Sequence, residues 1–526
     1  MRWRAYSSYI KALFMRNPLP ATLVLPFNFE QISRYFHHRA AVEQPYQTID
    51  EATAMDLDLD EVFEQIDRTT SKIGQQWLYA KIRTPKGEPD AVAFDRRVQL
   101  FEQDGDLADR CVKYLLPLAD EDAYDMQRLI VDIPLEISNI RTIYALTAAT
   151  VLSLAAALFY PPFLLLFMAL FSVNTFLHYR NKINITYYLS AVTQLLCCIR
   201  TAQNLAAEPA VATDCELGWL PKMTELRRKS WIVSRQSDGG NELAALFWMA
   251  IELIKISFNI EILLFHRFTR CLATERDTIG QMYRFVGETD AAIAVMHLRR
   301  EQQTCRPNFT SRKFLDVQAI THPLIDNCVA NSLTLDGTSL LLTGSNMSGK
   351  TSFIRTLCIN ALLAETIYTC FAKSYTAPYL KIYSSIRIAD DLLQGSSYYL
   401  EEVLTIKKFL AATADTTPCL FALDELFKGT NTTERIAAGK AVLSHLNRKN
   451  HLVCVSTHDM ELTELLQNDG YELYHFQEQV ADQRLQFDFQ LHPGRQTTKN
   501  AIKILELYDF PADLVDEAYR VQQKLA

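Results

Sequence analysis

The sequence predicts two regions of different fold class. Residues 314–526 are expected to form an α/β domain, and the region before it is expected to be all-α and interrupted by an apolar helical hairpin. From residue 314 onward, short apolar runs alternate with helix-compatible segments, which is the order of an α/β fold. Residues 48–135 and 183–300 repeat apolar positions at helical spacing. Residues 142–177 carry no charged side chain.

Length and composition set the outer limits. A chain of 526 residues is long enough for two to four domains. We divide it into a basic N-terminal segment (1–47), a first helical part (48–138), the hairpin (139–182), a second helical part (183–313) and the α/β domain (314–526). The net charge of −8 gives no broad attraction for nucleic acid, so any DNA contact would need a local basic patch. The eleven cysteines form no CxxC pair, which indicates reduced thiols in a cytosolic environment and argues against a metal site.

The N-terminal segment is basic and aromatic. Arg2, Arg4, Lys11 and Arg16 precede the first acidic residue, Glu30, and aromatic residues lie between them. Such a segment can lie on an anionic membrane surface. A poorly ordered tail is the equally weighted alternative.

The hairpin segment has the length and composition of a membrane unit. Thr142–Tyr160 is uncharged over 19 residues, Pro161-Pro162 follows, and Phe163–Leu177 is again uncharged. A membrane-spanning helix needs about 20 apolar residues. Basic residues flank both ends, which would place both ends on the cytoplasmic side. We therefore favour a transmembrane helical hairpin over a buried hairpin in a soluble core.

The helical segments after the hairpin are more polar. Ala244–Phe268 is apolar but contains four charges, which favours an amphipathic packing helix over a further span. Glu275–Arg300 is predicted to continue as helix, and its charges, including Arg299, are interpreted as a solvated face.

The most specific motif lies where an apolar run ends at Thr343. The pattern Gly, four residues, Gly-Lys-Thr is a phosphate-binding loop. Its residues are Gly344, Ser345, Asn346, Met347, Ser348, Gly349, Lys350, Thr351 and Ser352. The glycines let successive amides point at a phosphate, and the following helix adds the partial positive charge of its N-terminus. Lys350 is expected to reach the β- and γ-phosphates, and the Thr351 hydroxyl to hold Mg²⁺.

Two further polar clusters follow apolar strands. Asp424-Glu425 comes after Leu420–Leu423, so Asp424 is expected to hold Mg²⁺ and Glu425 to orient or deprotonate the attacking water. His458 follows Leu452–Ser456 and can sense the γ-phosphate from the same edge of the sheet. Ser396 and Ser397 precede a helix, where they either cap that helix or bind a phosphate held by another chain.

The order of these motifs resembles the ATPase domain of the MutS family of DNA mismatch repair proteins. The resemblance rests on Thr343–Ser352, Ile388–Ser397, Leu423–Thr430, Ser456–His458, His322–Ile325 and Leu491–Gly494. A weaker resemblance at Asp67–Gly74 extends to that family's helical lever domain. The resemblance implies an ABC-type P-loop ATPase that uses ATP and Mg²⁺, with Glu425 as catalytic base and His458 as switch histidine. It also implies a homodimer in which Ser396 or Ser397 reaches the nucleotide of the opposite subunit.

The chain also departs from the family pattern. Ser345 stands where the family usually has Pro, and no N-terminal mismatch-reading domain is recognised. We expect an ATPase domain in the cytoplasm, anchored in the cytoplasmic membrane through residues 142–177, with helical arms that bind mismatched or branched DNA. The alternative is a membrane-associated ABC-type ATPase that acts on a membrane or protein partner without DNA. A fused ABC transporter is disfavoured, because two short spans are too few for a substrate path.

Overall fold

The structure is a computed structural model of the 526-residue chain. It describes residues 27–43, 45–131, 140–213, 217–230, 253–345, 348–387, 398–427, 429–481, 484–495 and 510–525, together with residues 502, 505 and 508. The basic stretch before residue 27 lies outside these ranges.

Helices dominate the chain up to residue 301. The described α-helices of this region are α1 (Phe29–Val42), α2 (Glu51–Asp56), α3 (Leu59–Ile66), α4 (Lys72–Arg83), α5 (Glu88–Gln103), α6 (Gly105–Leu115), α7 (Arg128–Val131), α8 (Ile140–Ala157), α9 (Phe163–Ala207), α10 (Pro209–Thr213), α11 (Leu220–Ser230), α12 (Ile260–Thr274) and α13 (Arg276–Glu301). Two 3₁₀ segments, Leu116–Leu118 and Glu121–Gln127, lie between α6 and α7.

Strands and helices alternate from residue 307 onward, as expected. The described elements are β1 (Pro307–Phe309), β2 (Phe314–Ile320), β3 (Asn331–Asp336), β4 (Ser339–Thr343), α14 (Lys350–Ile367), β5 (Ser374–Ala377), β6 (Lys381–Ser385), α15 (Tyr398–Ala412), β7 (Cys419–Asp424), α16 (Thr432–Leu446), β8 (Leu452–Ser456), α17 (Met460–Gln467), β9 (Tyr471–Ala481), β10 (Arg484–Pro493) and α18 (Ala512–Leu525). The fold class of the two regions is therefore the predicted one: helical first, then α/β.

Helix α4 is the centre of the first helical part, with α1 and α13 packed against it. Its N-terminus is fixed by the buried Asp290 of α13, whose carboxylate accepts hydrogen bonds from the Thr70 amide (2.9 Å) and the Ser71 amide (2.7 Å). A Cβ on Gly74 would lie 2.2 Å from an oxygen of Asp290, so only glycine fits in this turn of α4. The packing of α4 against Asp290 therefore explains why the Asp67–Gly74 segment has a glycine at residue 74.

The hairpin is exposed rather than buried. The chain turns between α8 and α9 at Pro161-Pro162, and among the described residues two helical stretches are long and apolar enough to cross a membrane. Only 17% of the residues in Ile140–Ala157 and 11% of those in Phe163–Arg180 are buried. A hairpin buried within the core of this chain, the alternative raised from the sequence, does not match this exposure.

Helix α9 runs far beyond the apolar stretch. It contains 45 residues, which corresponds to about 68 Å at 1.5 Å per residue. It passes residue 182, where we placed a domain boundary, without interruption. Its C-terminal half buries Leu195, Ile199 and Ala202 in the helical core. One continuous helix thus joins the exposed apolar hairpin to that core.

Polar side chains form the inner contacts of the hairpin. Asn174 of α9 is buried and donates through Nδ2 to Thr150 Oγ1 of α8 (3.0 Å) and to the Ser257 carbonyl (2.7 Å). Residues 253–257 are helical, and the helix is interrupted by a turn at Phe258-Asn259 before α12 begins. The helix predicted over Ala244–Phe268 is therefore interrupted where the structure describes it, and Ser257 beside the interruption contacts Asn174 of the hairpin.

The α/β domain contains a six-stranded sheet of order β10-β9-β4-β8-β7-β6 and a four-stranded sheet of order β1-β5-β2-β3. In the larger sheet, all neighbouring strands are parallel except the β9–β10 pair. Strands β4, β7 and β8 are buried because they are covered on both faces, as parallel sheets require. Since these strands are parallel, their carboxyl ends meet at one edge of the sheet, where the predicted site residues lie.

Candidate functional site

The loop between β4 and α14 is bounded by two glycines, and its residues Gly344, Ser345, Ser348 and Gly349 are among those that the structure describes. Gly344 has φ 136° and Gly349 has φ 103°, conformations that side-chain-bearing residues rarely adopt. A Cβ on Gly344 would lie 2.9 Å from Ser348 Oγ and 3.0 Å from the Phe476 carbonyl oxygen. Gly349 is the N-cap residue of α14, so the positive end of that helix faces the loop. The glycines of the motif are thus required by the fold of the loop itself.

Lys350 is the first residue of α14 and its side chain is 2% exposed. Its ammonium donates to the carbonyl oxygens of Gly344 and Ser345, both at 2.7 Å. Ser348 closes the loop further, because its hydroxyl donates to the Ser345 carbonyl (2.8 Å). The structure therefore holds a buried positive charge within the loop that the sequence assigned to phosphate.

Thr351 and Asp424, the two predicted Mg²⁺ ligands, are in direct contact. Thr351 Oγ1 donates to Asp424 Oδ2 at 2.8 Å, although 73 residues separate them in the chain. The other oxygen of Asp424 accepts from the Ser456 hydroxyl at the end of β8. Hydroxyl and carboxylate oxygens are the ligands that Mg²⁺ prefers. This cluster of oxygens beside the loop therefore suits Mg²⁺.

Glu425 and His458 form a second pair. His458 Nε2 lies 2.7 Å from Glu425 Oε1, with side-chain exposures of 41% and 22%. Glu425 has φ 57°, a left-handed conformation, and its amide donates to the Ser456 carbonyl (3.1 Å). Strain of this kind persists only where surrounding contacts impose it, and it is frequent at active sites. The turn after β7 thus aims Glu425 at the histidine that follows β8.

Not every predicted residue is among those the structure describes. Asn346, Met347, Ser396 and Ser397 lie outside the described ranges. Ser352 lies in the first turn of α14 with an exposed side chain, and its carbonyl accepts from Thr356 Oγ1 (2.7 Å). The structure thus brings together Lys350, Thr351, Asp424, Glu425 and His458.

Sequence reasoning missed several residues that support these groups. The Ser456 hydroxyl holds Asp424, and the Glu402 carboxylate accepts from the Phe427 amide two residues beyond Glu425. Arg435 of α16 forms a bidentate pair with Asp459 (2.8 and 2.6 Å), which fixes the residue after His458. The adjacency of Ser456 to the histidine motif was a usable signal. The sequence held no comparable signal for Glu402 or Arg435.

The helical region reaches the carboxyl end of α14 through Arg299 of α13. Its guanidinium donates to the Tyr368 carbonyl (2.9 Å) and to Thr369 Oγ1 (3.0 Å), and it pairs with Asp95 (2.8 Å). The side chain is only 8% exposed. The interpretation of Arg299 as part of a solvated face is therefore wrong: the residue satisfies orphan carbonyls at a helix end, where a cation is favoured.

The comparisons with known proteins agree with this geometry. Residues 340–526 match the family model described as MutS domain V. The chain is 30% identical over 280 residues to the DNA mismatch repair protein MutS of an Exiguobacterium species, covering 51% of this chain and 33% of that protein. It is 28% identical over 275 residues to the protein of that name from Aquifex pyrophilus, covering 51% of this chain and 32% of the relative.

A third relative matches a longer stretch. The DNA mismatch repair protein MutS of Streptococcus sanguinis is 26% identical over 321 residues, covering 58% of this chain and 37% of that protein. The chain thus spans about a third of the length of the curated relatives it matches.

Proposed function

The chain is a member of the MutS family, and on this premise we propose that it binds and hydrolyses Mg²⁺-ATP as a homodimer anchored in a membrane. The observation that carries the proposal is the contact between Thr351 and Asp424 beside the glycine loop. It unites a phosphate cradle with an oxygen cluster suited to Mg²⁺. When bound, Mg²⁺ would neutralise charge on the phosphates.

The residues present fit ATP and Mg²⁺. The loop has no room for a Cβ at Gly344, and the N-terminus of α14 faces it, as a phosphate site requires. Lys350 would exchange its two carbonyl partners for phosphate oxygens, and Thr351 and Asp424 would hold the metal. Glu425 would accept a proton from the attacking water, and His458, at 2.7 Å, would orient that carboxylate.

Dimerisation is proposed from the family, with Ser396 or Ser397 serving the nucleotide of the partner subunit. The predicted site on one chain supplies the phosphate loop, the metal ligands and a base. Composite sites of this kind make hydrolysis depend on association. A variant that binds ATP but cannot hydrolyse it would accumulate the ATP-bound dimer.

Membrane anchoring is proposed from the exposed hairpin. Large apolar side chains such as Leu158 (84%), Phe159 (90%) and Leu165 (77%) are exposed at its tip and along its sides. Soluble monomers rarely expose a contiguous apolar surface of this kind. We propose that lipid covers it, with the ATPase domain in the cytoplasm.

The proposed nucleotide chemistry is tested with the full chain in detergent or lipid nanodiscs. We expect Mg²⁺-dependent phosphate release by the wild type. Lys350→Ala should lose nucleotide binding, with Lys440→Ala as the matched control, since that lysine of α16 is partly exposed and pairs with Asp469 (3.2 Å). Glu425→Gln should keep binding but lose roughly 10²- to 10⁴-fold in turnover. Its control is Glu464→Gln on α17, whose side chain is 66% exposed.

Two outcomes would contradict the assignment. Wild-type protein that does not bind Mg²⁺-ATP would remove the proposed function. Unchanged turnover in Glu425→Gln would remove Glu425 as the base. Mass photometry of Glu425→Gln with Mg²⁺-ATP tests the dimer, since a purely monomeric species would exclude the composite site.

DNA is the substrate class that family membership suggests, and the exposed hairpin favours the alternative of a membrane or protein partner. Binding of duplex, mismatched and branched DNA at low and high salt separates the two. Contacts with phosphates would give an affinity that falls steeply with salt. If the protein does not bind DNA at low salt, the alternative remains: a membrane-associated ATPase that acts on a membrane or protein partner.

A further inference from the structure

The junction between α2 and α3 contacts the α/β domain through Asp58. Asp58 lies between α2 and α3 with φ 49°, and its side chain makes no cap hydrogen bond to α3. Its Oδ2 instead lies 3.1 Å from Arg355 Nη1 and accepts from Arg387 Nη2 (3.0 Å). Asp58 is thus held in an unfavourable backbone conformation for a residue other than glycine, and its side chain is committed to two arginines of the other region.

The two arginines occupy informative positions. Arg355 is one helical turn after Thr351 on α14, on the helix whose N-terminus forms the phosphate loop. Arg387 is two residues beyond the end of β6, the strand next to β7, which carries Asp424. Asp58 therefore connects the helix of the phosphate loop with the exit of a neighbouring strand, and both with the helical region.

Asp56, the last residue of α2, also contacts the segment that follows β6. Its buried carboxylate accepts from the amides of Ile386 (2.9 Å) and Arg387 (2.7 Å) and from the Ser384 hydroxyl (2.7 Å). These bonds hold the backbone of the strand exit to the end of α2. The Arg387 side chain is thereby delivered to Asp58, where it also donates to the Met55 carbonyl (3.0 Å).

The two ion pairs of Asp58 differ in burial: Asp58 (22% exposed) and Arg355 (16% exposed) are largely buried, so only the Arg387 pair adds little to stability. The Arg387 side chain is 51% exposed, and exposed ion pairs contribute little to folding. Together, the two ion pairs of Asp58 fix the position of α14 relative to the end of β6 and relative to α2 and α3. A shift of the Thr351 end of α14 would be felt one turn later, at Arg355.

We propose that Asp58 is a positioning residue that couples the nucleotide site to the helical region. Through Arg355 it reports the placement of the phosphate-loop helix, and through Arg387 it ties that placement to β6. The inference rests on the proposed ATPase function. It adds a set of contacts through which nucleotide binding can affect the helices that precede the hairpin. Asp58 touches neither nucleotide nor metal in this scheme.

The test compares Asp58→Asn with wild type in the full chain. We expect the affinity for the nucleotide analogue AMP-PNP with Mg²⁺ to be unchanged, because Lys350 and Thr351 are intact. The turnover number should fall roughly ten- to a hundredfold, the range that misplacement of reacting groups by about 1 Å can cause. AMP-PNP should alter hydrogen exchange of residues 51–66 in wild type, and this response should be lost in Asp58→Asn.

The controls separate positioning from folding. Asp60→Asn is the matched variant, because Asp60 accepts from the Tyr79 hydroxyl (2.9 Å) within the helical region; its turnover and exchange response should match wild type. Asp58→Glu, which keeps the carboxylate, should restore part of the turnover. Arg387→Ala combined with Asp58→Asn should cost no more than either single change.

The outcomes distinguish the two proposals. Wild type that fails to bind AMP-PNP would remove the proposed function, and the coupling with it. Wild type with normal turnover and an Asp58→Asn variant of equal turnover and equal exchange response would overturn the coupling alone. A variant that loses nucleotide affinity and thermal stability together would make Asp58 a structural residue, and would also overturn it.

Discussion

Helices α8 and α14 have the same length and opposite environments. Each contains 18 residues and is rich in apolar side chains. In α14, fifteen residues are buried, including its polar Asn360 and Glu365. In α8, three are buried, and two of these are the polar Thr150 and Ser153, while Leu152 and Val151 face outward.

This inversion is the pattern expected if the two helices lie in different media, as proposed above. In water, apolar side chains turn inward, because their burial is worth roughly 25 cal/mol per Å². In lipid there is no such preference, and polar groups turn inward to find hydrogen-bond partners. Helix α14 follows the first rule. Helix α8 has the burial pattern of the second, and its Thr150 accepts a hydrogen bond from Asn174 of α9 between the two helices.

The largest effect we predict is the loss of stability caused by a cavity beside α14. Leu362 is fully buried, so Leu362→Ala should destabilise the α/β domain by about 2–5 kcal/mol. The matched change in α8 is Leu152→Ala, where the side chain is 69% exposed. It should leave thermal unfolding of the protein in nanodiscs nearly unchanged. Equal losses in the two variants would mean that α8 also packs against protein, and the comparison would fail.

A charge placed on the outer face of the hairpin should have the next largest effect. Val173→Arg, in the middle of Phe163–Arg180 with a side chain that is 44% exposed, would put a guanidinium where we propose lipid, at a cost of about 2.5–3.5 kcal/mol near the centre of a span. Fractionation after an alkaline wash measures the result: wild type should stay with the membrane, and the variant should be partly released.

The control for that charge lies in the other region. Leu404 of α15 is 47% exposed, and Leu404→Arg should not change how the protein partitions. If wild type itself stayed in the soluble fraction without detergent, the hairpin would be a protein-binding surface instead of an anchor.

The sequence was sufficient for much of the candidate site because the relevant signals are local. The glycine loop, Asp424-Glu425 and His458 each follow directly on a buried strand, and strands β4, β7 and β8 are neighbours in one parallel sheet. Strand ends of a parallel sheet meet at one edge, so their contacts could be predicted without coordinates. Ser396 and Ser397 stay predictions, since they lie outside the described residues.

The contacts between the two regions could not be predicted. Asp58 and Arg355 are 297 residues apart, and Asp58 and Arg387 are 329 apart. Nothing in the local pattern distinguishes Asp58 from Asp60, or Arg299 from a solvated arginine. The break at Asn259 was missed for a related reason: its apolar flanks continue the helical period, and only the partner across the hairpin, Thr147, explains why an asparagine is buried there.

The smallest effect we predict lies inside the hairpin and isolates its polar interior. Asn174→Leu removes the hydrogen bonds to Thr150 and to the Ser257 carbonyl. Hydrogen bonds between membrane helices contribute about 0.6–1.7 kcal/mol, so thermal stability in nanodiscs should fall slightly. A double-mutant cycle with Thr150→Val measures the pair directly, and Ser172→Leu, on the exposed side of the same helix, is the control. In lipid the coupling energy should be positive and the control neutral. A leucine at 174 that stabilises the protein, with no coupling to Thr150, would mean that the asparagine is merely tolerated inside the hairpin, and the polar interior of α8 and α9 would lose its significance as the mark of a lipid environment.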